Sequence, residues 1–139
     1  MNTKQRVKTL VTTDPLLLVV CLLMVPASYI AVMVFGLFDK NVVVLMGAWS
    51  SCSFLLSVAH DAAKKVAAAE GDKDQLTIEF EMIVIAALLW TATAALTLGA
   101  SSLVWPVMSH QMLPYFGLAL TIVVTMSTFW WVKARAELG

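Results

Sequence analysis

Along the 139 residues, polar and apolar positions separate into long blocks instead of alternating. Four stretches hold no Asp, Glu, Lys, Arg or His: Pro15 to Phe38, Asn41 to Ala59, Met82 to Ser109 and Gln111 to Val132. The hydrocarbon core of a bilayer is about 30 Å thick and a helix rises about 1.5 Å per residue, so about 20 apolar residues cross it. Each stretch reaches that length, and none carries the charged face that a water-soluble helix presents. The pattern predicts an all-α integral membrane protein: four transmembrane helices over residues 15–38, 41–60, 80–104 and 112–132, in one domain covering 1–139.

Local signals punctuate these blocks. Asp14 before Pro15 is an N-cap followed by a first-turn proline, which starts the first span. The apolar run that follows exceeds the 7 to 15 or so residues of a secretory signal, so it reads as a retained helix. Pro26 lies inside it and is expected to kink it or free a carbonyl. Phe38 to Asn41 reads as a tight turn that pairs the first two spans as an antiparallel hairpin. The second helix continues past the bilayer as SVAHDAAKKVAAAE to a stop at Gly71. Asp72, Asp74 and Gln75 turn the chain, and Glu79 and Glu81 fall near the start of the third span, where negative charge is favoured. Residues 61–79 thus form a charged elbow, and the third and fourth spans make a second hairpin.

Charge placement orients the bundle. Eight of the nine basic residues cluster in three places: Lys4, Arg6 and Lys8; Lys64, Lys65 and Lys73; Lys133 and Arg135. Basic residues accumulate in cytoplasmic segments, so both termini and the elbow are expected inside, in a bacterial-type inner (plasma) membrane. The N-terminal segment also reads as an amphipathic interfacial helix, with Val7, Leu10 and Val11 on its apolar side. Trp105 and Tyr115 are expected to anchor the outer boundary, Trp130 and Trp131 the inner one.

Composition changes this picture little: 60% hydrophobic and 13% charged residues leave no room for a water-soluble domain. Zero net charge offers no reason to expect a nucleic-acid partner. The expected partners are the lipid bilayer and either other membrane subunits or further copies of the chain.

Candidate chemistry is sparse. His60 and His110 fall on opposite sides of the membrane, about 30 Å apart, and cannot ligate one cofactor within a protomer. His60 is the one candidate for cofactor binding, read against a surface histidine beside Asp61. Cys21 and Cys52 share a depth in the inner half, where thiols face a reducing compartment and serve as small apolar packers. Lacking a CxxC pair, they do not match disulfide-exchange chemistry. The four uncharged stretches hold no carboxylate of the kind a small proton-coupled exporter needs. Arg6 and Arg135 both lie in tails, unlike the helix-end arginines of a glutathione-using membrane enzyme. Glu79 with Glu81 reads as too exposed a pair for acid–base catalysis. No catalytic residue, metal site or cofactor is expected beyond bound lipids, and the chain is not expected to be an enzyme.

What the spans do offer is packing chemistry. The second holds Gly47, Ser50 and Ser57; the third repeats Ala87, Thr91, Ala95 and Gly99; the fourth repeats Gly117, Thr121, Thr125 and Thr128. Small residues at such spacing let membrane helices approach closely. Lys64, Lys65, Glu70, Asp72 and Asp74 offer a docking surface on the elbow. The expected function is a noncatalytic integral inner-membrane subunit of a larger assembly of the respiratory, secretion or conjugation type, acting by helix packing and loop docking. The alternative is a self-assembling channel, holin-like pore or small transporter, for which Ser and Thr line the path.

Overall fold

The computed structural model describes residues 3–31, 40–69, 75–104, 106 and 113–138. These form α1 (Thr3–Thr13), α2 (Pro15–Ile30), α3 (Lys40–Ala69), α4 (Gln75–Val104) and α5 (Leu113–Leu138), with no strand among them. Three helices, α3, α4 and α5, are long and apolar enough to cross a membrane, which makes this a membrane-embedded protein; α1 and α2 together would make a fourth span if counted as one.

The junction between α1 and α2 follows from the Asp14-Pro15 pair. Asp14 adopts a non-helical backbone and its carboxylate accepts from the Leu17 amide at 3.1 Å, while Pro15 opens the new helix. Proline brings no amide donor to a position where none is needed. The two helices meet at 94°. α2 runs on through Pro26 to Ile30, and the sharp bend lies at the Asp14 cap. α1 itself is held by Leu10, which is fully buried, while Val7 and Val11 face outward.

α3 is the centre of the fold and touches each of the other four helices. Its 30 residues span about 45 Å, more than a hydrocarbon core. The excess carries an amphipathic pattern: Ala62, Ala63, Val66 and Ala67 are fully buried, while Asp61, Lys64 and Lys65 are exposed. In α4 a rhythm of three and four residues puts Glu79, Ile83, Ala86, Trp90 and Ala94 in the core. α4 begins at Gln75, so Gln75 and Glu79 belong to the helix and only 70–74 remains between α3 and α4. Because lipid tails are as apolar as the side chains they would replace, close packing and interhelical hydrogen bonds hold such helices together. Gly47 is where this is tightest: a Cβ there would lie 2.9 Å from Ser28 Cβ on α2.

Candidate functional site: a polar cluster at one end of the bundle

Polar side chains bridge helices at three levels, and the most charged level lies at the C-terminal end of α3. There His60 Nδ1 and Glu79 Oε1 of α4 are 2.6 Å apart, the ring N–H donating to the carboxylate. Glu79 is 1% exposed and His60 24%, so the carboxylate is inside the protein and the imidazole reaches its edge. Glu79 Oε2 is buried without a hydrogen-bond partner. This corrects two sequence expectations. His60 is an inward-facing interhelical group, and Glu79 is a core residue instead of half of an exposed pair.

Neighbours from α1 and α5 close around the pair. Arg6 of α1 forms an ion pair with Glu81, two residues beyond Glu79 on α4. On α5 the Trp130 ring lies 6.3 Å from that of His60, and Lys133 Nζ stands 5.1 Å from the Trp130 centroid, in cation–π range. Trp131 meets Phe80 edge-on at 5.0 Å. The two tryptophans expected to mark the membrane boundary therefore also pack against other helices. A hollow of about 220 Å³ lies between α4 and α5 near this end, bounded by Phe80, Ala87, Ser127 and Trp131.

At mid-bundle the buried Trp90 Nε1 donates to Ser51 Oγ at 2.8 Å, and Ser51 in turn donates to the Gly47 carbonyl at 2.7 Å. At the far end the Tyr29 and Ser101 hydroxyls are hydrogen-bonded at 2.9 Å. Between these two levels lies a half-open cavity of about 70 Å³, walled by α2, α3, α4 and α5 and lined in part by Ser28, Gly47, Trp90, Thr97 and Tyr115.

The predicted packing residues divide. Gly47 sits against Ser28; Ser50, Ser57, Ala87 and Thr91 are half-buried. Ala95 and Gly99 face outward, as do Gly117, Thr121, Thr125 and Thr128. A Cβ at Gly99 or Gly117 would meet nothing within 4 Å. The three threonines of α5 donate to their own helix, to the carbonyls of Gly117, Thr121 and Val124. Of the docking residues, Lys64 and Lys65 are exposed, while Glu70, Asp72 and Asp74 lie outside the described residues, as do Trp105 and His110. Cys21 and Cys52 are free thiols buried in the core. Among the described residues no three His, Cys, Asp or Glu side chains converge as metal ligands.

Sequence reasoning missed Ser51 with Trp90, and His60 with Glu79. Helical spacing carried the signal: Glu79, Ile83, Ala86, Trp90 and Ala94 follow one buried stripe, one residue out of step with the small-residue repeat at Ala87, Thr91 and Ala95. No family model matches the chain, and neither does any curated protein or solved structure.

Proposed function

We propose that the chain is a noncatalytic inner-membrane subunit that works through helix contacts. The observation that carries this reading is the outward face of α5. Gly117, Thr121, Thr125 and Thr128 repeat along it, Gly117 has open space around it, and the threonine hydroxyls bond back to their own helix. A face of that kind admits another transmembrane helix at close range without stranding a polar group. The interhelical polar side chains support the same reading, since His60, Glu79, Ser51, Trp90, Tyr29 and Ser101 tie this chain's own helices to one another.

In this proposal α2 to α5 cross the bilayer as two antiparallel hairpins, with both termini cytoplasmic. The right-angle bend at Asp14 supports α1 lying along the inner surface, its Lys4 and Lys8 toward headgroups. An impermeant thiol reagent applied from the cytoplasmic side should reach a cysteine placed at Gly71, and one applied from outside should reach a cysteine at Ser109. The reverse pattern would contradict the orientation. Purification in mild detergent tests the function: stoichiometric foreign subunits support it. A pure homo-oligomer that carries solute flux in liposomes would establish the pore reading instead.

A further inference from the structure

The cavity between the Ser51–Trp90 and Tyr29–Ser101 levels has no use in the assembly reading. Its walls bear few polar groups, and apart from the Tyr115 hydroxyl each already holds a partner within the protein. Ser28 donates to the Met24 carbonyl, Ser51 to that of Gly47, Thr97 to that of Thr93, and Trp90 to Ser51. Tyr29 is engaged with Ser101. The remaining wall is aliphatic or aromatic, including Val44, Ala94, Leu98 and Ala119. A water molecule needs two to four polar partners to stay in such a place.

Size narrows the occupant further. At about 70 Å³ the cavity is less than half of the roughly 150 Å³ that accommodates a benzene ring in a well-studied engineered case. That volume takes a few methylene groups. The lining residues Val25, Tyr29, Leu98 and Tyr115 are half-buried, and exposed apolar Ile30, Leu96 and Leu113 lie one or two residues from three of them in sequence. The cavity is half-open, and what a membrane-embedded chain offers to such an opening is lipid, whose acyl chains are apolar.

We infer that this cavity is a binding slot for one lipid acyl chain, threaded between α2, α3, α4 and α5 and lying against Trp90. The slot explains two small residues beside it: Ala94 and Ala119 leave the space the chain fills. Occupancy restores the dispersion contacts that an empty cavity would forfeit along its walls.

Trp90 is a built-in reporter, because it is 3% exposed and lines the slot, whereas Trp49 of α3 is 60% exposed. Two full-length chains, each keeping one of the five tryptophans with the other four changed to Phe, are reconstituted in phosphatidylcholine vesicles with brominated acyl chains. Bromine quenches an indole only on close contact. The slot predicts quenching of both Trp90 and Trp49. It also predicts that Ala119→Leu or Ala94→Leu, which fill the slot, abolish quenching at Trp90 and leave Trp49 quenched. Quenching at Trp49 alone would overturn the inference, since it would mean a slot without lipid. So would quenching of Trp90 that persists in both filled variants with Trp49 still quenched, since bromine would then reach the ring from elsewhere. Should one filled variant fail to insert, seen as loss of Trp49 quenching, the other variant and the unfilled chain still decide.

Discussion

The His60–Glu79 pair makes an asymmetric prediction. The two partners differ in burial, 24% against 1%, so removing one is not equivalent to removing the other. In His60→Leu the volume is largely kept, but Glu79 remains inside the protein with neither oxygen hydrogen-bonded, because Oε2 has no partner to begin with. Breaking a buried pair in this way costs about 3–5 kcal/mol. In Glu79→Leu the remaining histidine is at the edge and can turn to water. Its loss is bounded by the roughly 1.5–3 kcal/mol of a charge-assisted hydrogen bond, and burial of the new leucine offsets much of that. In the double variant His60→Leu/Glu79→Leu no ionisable group is left inside, and stability should return to within about 1 kcal/mol of the parent, since apolar replacements of buried pairs are commonly neutral or stabilising. Unfolding in mixed micelles of rising SDS fraction, followed by far-UV circular dichroism, gives all three values. The expected order of loss is His60→Leu well above Glu79→Leu, with the double variant recovered. Equal losses for the two single variants, or a double variant worse than His60→Leu, would refute the burial argument.

Three other predictions follow from contacts elsewhere. Gly47→Ala should destabilise the protomer, because overpacking against Ser28 costs about 1–3 kcal/mol and exceeds the roughly 1 kcal/mol gained in helix propensity; thermal unfolding in detergent reads the difference, and Ser28→Gly in the same chain should restore it. Gly117→Leu has open space in the protomer, so it should leave that unfolding curve unshifted or slightly higher while lowering the fraction of chain recovered in the native assembly on a sizing column. At mid-bundle Ser51→Ala should cost more than Trp90→Phe loses in hydrogen bonding: it strands a buried indole N–H at about 1–3 kcal/mol, whereas Ser51 without Trp90 still holds the Gly47 carbonyl, a loss of about 1 kcal/mol. Parallel unfolding series should show that order once the loss expected from the smaller ring volume of Phe is subtracted.

The helices were largely legible from the sequence because their signals are local. Block hydrophobicity located the apolar runs, the Asp14-Pro15 pair located the start of α2, and the run of alanines after His60 gave the extension of α3. The site was less legible because it depends on rotation about helix axes. In α4 the small-residue repeat at Ala87, Thr91, Ala95 and Gly99 lies one position, about 100° of helix, away from the buried stripe through Glu79, Ala86, Trp90 and Ala94. Hydropathy cannot fix that rotation where both sides of a helix are apolar. His60 and Glu79 lie 19 residues apart on different helices, so their meeting is a property of how α3 packs on α4. Arg6 looked like a tail charge for a similar reason: its place was decided by the bend at Asp14, which lays α1 against α3 and brings the guanidinium to Glu81.

The most direct test of the assembly reading is photocrosslinking in the native membrane. A photoreactive amino acid is placed at Thr121, on the small-residue face of α5, and in a second chain at Leu96 of α4, a 74% exposed side chain on the apolar surface. If α5 docks another transmembrane helix, light should convert the Thr121 chain into one discrete protein adduct while the Leu96 chain yields lipid adducts alone. Lipid adducts alone from both positions would contradict the account, because the face proposed for helix contact would then be an ordinary lipid-facing surface.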